Sequence, residues 1–288
     1  MEASGYQPPA ERPIPEGPIH PGSGRRRIDW RRIYAPLGAI GLAILKFGAK
    51  LKALIFLLPK IKVFTTSASM LVSVAAYSLI WGWKFAVGFV LLIFVHEMGH
   101  FLAARSRGLA VGAPTFIPFV GAWIELKDLP HDVETEAWVG LAGPLLGSVG
   151  ALACYYAYRA TGEPLLLALS YAGFFLNLFN LIPISPFDGG RITAIISPRV
   201  WLLGAPLLVG LFFWRPSPLL ILMAVLAAPQ LWKAVKFDPK APENVAYYSV
   251  EPAKRFEYSV YYIALAAFLA IMSFDAHEML EHLAKKPG

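Results

Sequence analysis

Residues 85–104 read FAVGFVLLIFVHEMGHFLAA. As a helix this stretch is about as long as a bilayer core is thick, roughly 20 residues. It nevertheless holds three ionisable side chains, His96, Glu97 and His100. Such groups are costly in hydrocarbon, so their presence inside a span is by default a functional signal. His96 and His100 stand four positions apart and so share one helix face, one turn from each other. A chain built around this stretch must either shield the polar face with other helices or admit water to it.

Two imidazoles at this spacing can bind one zinc ion, and the adjacent Glu97 can act on a zinc-activated water. This is the HExxH pattern of zinc hydrolases. The rest of the composition agrees with a membrane setting. The chain is 57% hydrophobic and only 16% charged, against about a quarter charged in soluble domains, and mean hydropathy is +0.54. The net charge of +7 is read as a topology signal rather than a nucleic-acid site, so no nucleic-acid partner is expected. A single cysteine, Cys154, excludes intrachain disulfides and any Cys-rich metal site.

Apolar runs and breaks give the expected organisation. Residues 1–32 are Pro-rich, carry Arg25, Arg26 and Arg27, and have no apolar periodicity, so they read as a disordered cytoplasmic segment. Residues 33–62 are apolar but carry Lys46, Lys50 and Lys52, which fits a basic amphipathic helix on the membrane surface. Residues 63–232 form the membrane-embedded core, 233–255 a polar cytoplasmic linker, and 256–288 a last span with a short tail. Within the core, 64–83, 85–104, 138–158 and 164–181 read as spans. Residues 201–213 and 219–232 are shorter and read as a hairpin. The stretch VGAPTFIPFVGAWIELKD at 111–128 has no helical period and predicts a small β-hairpin or re-entrant segment beside the histidines. The expected fold is an all-α polytopic membrane protein with about 6 to 7 transmembrane helices. With the N-terminus cytoplasmic, Arg105, Arg107, Lys127, Arg191, Arg199, Lys233, Lys236, Lys240, Lys254 and Arg255 fall inside, and only Lys84, Arg159, Arg215, Lys285 and Lys286 outside. That bias puts the end of the HEMGH helix and the FDGG segment on the same, cytoplasmic, side.

A catalytic zinc usually takes three protein ligands. Asp188, in NLIPISPFDGG at 180–190, is the best third candidate, at the cytoplasmic end of a span where prolines stop the helix. The same residue also reads as the N-cap of a following helix. HEMLEH at 277–282 is a decoy, because His282 is at i+5, off the face of His277. His20 and His131 read as solvated, as do Glu125, Asp128, Glu134 and Glu136, with Glu125 kept as a conceivable extra ligand.

HEMGH in a membrane helix, followed by NLIPISPFDGG, resembles the site-2 protease family of intramembrane zinc metalloproteases. AGPLLG at 142–147 is similar to the family's Gly-Pro segment, and Phe187 stands where leucine is commoner. The likeness runs from about residue 64 to 198. It implies a zinc metalloendopeptidase of regulated intramembrane proteolysis, with one zinc ion on His96, His100 and Asp188. It also implies Glu97 as general base and Asn180 as a contact to the substrate backbone or developing oxyanion. Asn180 also reads simply as a helix-ending or helix-bridging residue. The chain looks like the compact form of the family, without an inserted PDZ or C-terminal CBS domain. The expected partners are a transmembrane protein substrate and the lipid bilayer, in a prokaryotic cell membrane. The sequence sets no oligomeric state. The competing reading is an inactive binding or scaffold protein with a structural metal site. A metal transporter or a prenyl-protein protease fits less well, because no inverted repeat is visible and the second motif contains aspartate.

Overall fold

The computed structural model describes residues 62–112, 114–119, 121–123 and 130–285. The expected segment 1–32, and all but the last residue of the expected amphipathic helix 33–62, lie outside the described residues. What is described is an all-α polytopic membrane protein with one small hairpin.

The first helix, α1 (Lys62–Trp81), turns at Gly82 into α2 (Trp83–Ser106). Gly82 sits at φ 80, a left-handed conformation that a side chain disfavours. Lys84, which falls between the expected spans 64–83 and 85–104, lies in the first turn of α2. α2 stops at Arg107 and Gly108, the latter at φ 76, and the Leu109 N–H donates back to the Ala104 carbonyl at 3.0 Å. This is a glycine C-terminal stop.

A two-stranded antiparallel hairpin follows, β1 (Thr115–Ile117) and β2 (Gly121–Trp123), pairing Phe116 with Ala122. It is fastened to α1 by side chains. The Thr66 hydroxyl donates to the Pro114 carbonyl at 2.6 Å, the Phe116 N–H donates to Ser69 Oγ at 3.0 Å, and the Phe119 N–H donates to the Tyr77 hydroxyl at 3.0 Å. β2 lies against α2, which places the hairpin between the first helix and the helix of the histidines.

Helix α3 (Val133–Thr161) is capped by Asp132, whose Oδ1 accepts the Thr135 N–H at 2.7 Å, and it ends at left-handed Gly162. α4 (Pro164–Asn180) opens with proline at its first position, where no N–H is needed. The most extensive packing in the described chain runs α2 against α3 and α3 against α4. α3 presents Gly140, Gly143, Pro144, Gly147 and Ala151 as its buried face, small residues that let helix axes approach.

Residues 181–187 then lead into the short α5 (Asp188–Ala194), a 3-10 turn (Pro198–Leu203), α6 (Gly204–Trp214), α7 (Pro218–Val235), α8 (Pro242–Tyr248) and α9 (Pro252–Lys285). Four described helices are long and apolar enough to cross a membrane, α2, α3, α7 and α9, and α1, α4 and residues 198–214 are shorter apolar ones. The expected hairpin at 201–232 is therefore unequal, with one long and one short arm. The stretch 233–255 holds a helix of its own, α8, and α9 begins inside it. α9 packs along α4 through Leu265 and Leu269 against Leu167 and Phe174.

Candidate active site

His96 and His100 lie on the buried face of α2, and Asp188 is the first residue of α5. The N-cap of α5 is Phe187, so Asp188 does not cap the helix. Its carboxylate turns to the histidines, with Oδ2 3.1 Å from His96 Nε2 and Oδ1 3.2 Å from His100 Nε2. The two Nε2 atoms are 3.1 Å apart. One ligand atom from each of the three residues falls within 4.8 Å of the others, and all three side chains are buried.

The outer sides of the imidazoles decide what this cluster can hold. His100 Nδ1 lies 2.7 Å from the Val139 carbonyl on α3. A carbonyl only accepts, so Nδ1 carries the proton and Nε2 offers a lone pair. His96 Nδ1 lies 2.8 Å from Asn177 Oδ1 on α4, which likewise leaves Nε2 free to coordinate. Two imidazole lone pairs and a carboxylate converging on one small space form an acceptor-only set that fits a cation, and nitrogen and oxygen donors of this kind suit zinc.

Local sequence explains the convergence. Gly143 leaves room for the His100 ring, since a Cβ there would fall on Cε1 and Nε2 of that ring. Pro144 has no N–H, so the Gly140 carbonyl lacks its helical donor, in the turn where Val139 receives His100. Asp188 is set by its loop. Gly189 passes so close to the Leu181 and Ile182 carbonyls that a Cβ has no space. The Tyr262 hydroxyl donates to the Leu181 carbonyl at 2.6 Å, Trp201 Nε1 donates to the Gly190 carbonyl at 2.7 Å, and the Ser185 N–H donates to Gln230 Oε1. Phe187, where leucine was expected, is buried edge-to-face against Phe179, with ring centroids 4.9 Å apart.

Glu97 is 7% exposed, and among the described residues its carboxylate makes no side-chain hydrogen bond or ion pair. Asn180 ends α4, half-buried, and its Nδ2 donates to the Leu176 carbonyl of its own helix at 3.1 Å. It stands outside the three-residue cluster. Of the decoys, His131 is exposed and His277 pairs with Glu281 at 3.3 Å on the exposed side of α9. Glu134 faces Arg107 at 3.7 Å, and Glu136 accepts from the Tyr247 hydroxyl at 2.6 Å. Glu125 and Asp128 lie outside the described residues, as does His20. Sequence reasoning missed Asn177 and the Val139 carbonyl. The first had a signal, an amide in the middle of the apolar run of α4. The second, being backbone, had none.

The model of peptidase family M50 matches residues 84–162, which include HEMGH and the Gly-Pro segment and stop before Asp188. Over 133 residues the chain is 32% identical to a zinc metalloprotease of Methanocaldococcus jannaschii, a match covering 44% of this chain and 38% of that protein. It is 25% identical over 154 residues to a probable chloroplastic zinc metalloprotease of Arabidopsis thaliana, covering 37% of this chain and 28% of the relative. The chain thus spans well under half the length of these relatives. The solved site-2 protease from Methanocaldococcus jannaschii aligns over 58% of this chain and 85% of its own, at 25% identity and a TM-score of 0.37. The HEMGH and FDGG motifs thus meet in one cluster, and over the two helices that carry the histidines and the Gly-Pro segment the chain is similar to peptidase family M50 and its zinc metalloprotease relatives.

Proposed function

We propose that the chain is an intramembrane zinc metalloprotease that hydrolyses a peptide bond in or near a transmembrane segment of a membrane-protein substrate. The observation that carries this is the buried His96–His100–Asp188 cluster with the uncommitted, buried carboxylate of Glu97 on the adjoining turn. His96, His100 and Asp188 would hold one zinc ion. Such an ion supplies Lewis acidity, bringing the pKa of a water towards about 7 and polarising the scissile carbonyl. Glu97 accepts a proton from the attacking water as its oxygen bonds to the carbonyl carbon. The C–N bond then breaks, and Glu97 returns the proton to the leaving amine nitrogen. A structural metal site in a scaffold protein needs ligands but no buried base, so Glu97 favours the enzyme over that alternative.

Asn180 is the proposed substrate contact. For that role its Nδ2 must leave the Leu176 carbonyl and turn to a substrate carbonyl. A substrate helix must unwind before attack, because a helical peptide bond is shielded. An extended segment can then add to the hairpin as a further strand. Since β1 is tied to α1 through Ser69, β2 offers the edge next to α2. The N-terminus is proposed to be cytoplasmic, in a prokaryotic cell membrane, with the site near the cytoplasmic surface where water can enter.

The test is zinc content and cleavage of a single-span substrate, measured together in purified protein. Native protein should bind one zinc and cleave, Glu97→Gln should keep zinc and lose cleavage by about 100-fold or more, and Asp188→Asn should lose both. A Glu97→Gln protein that cleaves at the native rate would remove Glu97 from the mechanism. A native protein that binds no zinc would end the whole reading.

A further inference from the structure

We infer that Asn177 is a positioning residue that fixes the tautomer and ring orientation of His96 for metal binding. This rests on the zinc reading above and extends it beyond the ligands. Asn177 is 1% exposed, in the middle of apolar α4. Its Nδ2 donates to the Gly173 carbonyl, one turn back on the same helix, at 2.7 Å. That carbonyl can only accept, so the amide cannot be turned round without placing two acceptors face to face. Oδ1 is therefore the atom that points at His96 Nδ1, at 2.8 Å. Oδ1 also only accepts, so the proton of His96 sits on Nδ1. The lone pair is then on Nε2, on the side of Asp188 and His100. The order runs from helix carbonyl to amide to imidazole to metal position, and each step follows from donor and acceptor chemistry.

α3 supplies the space. A Cβ at Gly147 would fall on the Oδ1, Cγ and Nδ2 atoms of Asn177. Gly143, one turn earlier, does the same for the His100 ring. The two glycines of AGPLLG thus hold one group for each histidine, beyond the close helix packing that small residues ordinarily provide.

Outer hydrogen bonds to metal-binding histidines are typically worth 10- to 100-fold in metal affinity. The experiment is a zinc dissociation constant in purified, metal-stripped protein, by competition with a chromophoric chelator, for native, Asn177→Leu, Asn177→Asp and Gly147→Ala. Asn177→Leu keeps the branched shape and loses the acceptor, and should weaken zinc about 10- to 100-fold. Asn177→Asp keeps an acceptor for His96 but sets a second oxygen against the Gly173 carbonyl, so it should bind zinc more tightly than Asn177→Leu and less tightly than native. Gly147→Ala should weaken zinc by displacing the amide. Cobalt in place of zinc gives a second readout, since Asn177→Leu should alter the visible d–d bands of the bound ion. A merely structural role for Asn177 would lower the unfolding temperature of metal-free protein and leave the affinity of the folded protein unchanged. Native affinity in Asn177→Leu overturns the proposal. If that variant does not fold, native affinity in Gly147→Ala overturns it. Native protein that fails to bind zinc would instead overturn the zinc reading on which it rests.

Discussion

At the scale of single residues, the site is a matter of which atom faces which. The His100 ring is held from three sides, by the Val139 carbonyl, by the Asp188 carboxylate and by the open space at Gly143. Gly143→Ala should therefore be more damaging than one methyl group ordinarily is, because the ring cannot retreat without giving up the carbonyl. Overpacking of this kind costs about 1–3 kcal/mol, and zinc content and the unfolding temperature should fall together. A Gly143→Ala protein with native zinc content would mean that α3 moves to accommodate the methyl. The three residues of the cluster were legible in the sequence, because i,i+4 spacing on a helix and an aspartate after a proline break are local patterns. Asn177 and Val139 were not assigned, because they meet the histidines across 81 and 39 positions of chain. Asn180, three residues from Asn177, drew attention by its place in a motif, yet here it bonds its own helix.

Elements then determine how firmly those residues are presented. The hairpin buries Phe116 against Tyr77, Val90 and Ile93, but its backbone is anchored by hydroxyl groups of α1. Ser69→Ala combined with Tyr77→Phe removes the acceptors for one strand and one turn N–H of the hairpin while leaving the aromatic packing of Tyr77 in place. Each lost bond is worth about 0.5–1.5 kcal/mol. The expected result is faster amide exchange at Phe116 and Phe119, and faster proteolysis between 115 and 123, with zinc content unchanged. Unchanged exchange would show that packing alone sets the hairpin. That a non-helical segment lay here was readable from its glycines, prolines and aromatic residues. Its attachment to α1 was not, because serine, threonine and tyrosine in a helix carry no periodic signature. The unequal arms at 198–235 were likewise obscured, since an apolar run does not distinguish a 3-10 turn from an α-helix.

Across the whole molecule, the polar stretch after α7 is part of the fold rather than a tether. α8 is docked on α3 by the hydroxyl of Tyr247 on Glu136. Burial, with the Glu136 charge beside it, pushes the Tyr247 hydroxyl well above its ordinary range, and the same causes push Tyr248 up to about 12. A raised phenol pKa favours the neutral form in the folded state. Its contribution is therefore fully present below the unfolded value near 10, and is lost as pH rises towards 12. The unfolding temperature should hold from neutral pH to about 10 and then fall, and Tyr247→Phe should flatten that decline.

The same layer reaches the His96–His100–Asp188 cluster through Arg255, in the first turn of α9. Its guanidinium donates to the Ile195 and Ile196 carbonyls at 2.6 and 2.8 Å, just past the end of α5, and to the Tyr248 carbonyl at 2.6 Å. α5 begins at Asp188, so one cation fixes the far end of the short helix that presents Asp188 to the two histidines. The guanidinium spreads its donors over a rigid planar fork that reaches carbonyls on two separate segments, whereas an ammonium gathers its three donors at one point. Zinc release into excess chelator should accordingly quicken in the order native, Arg255→Lys, Arg255→Ala, and the alanine variant should lose about 1–3 kcal/mol of stability. Equal release rates in all three would assign the hold on α5 to its buried Ile192 and Ile195 instead. The expected ordering would mean that a linker-like sequence, with no catalytic residue in it, sets how long the site keeps its ion.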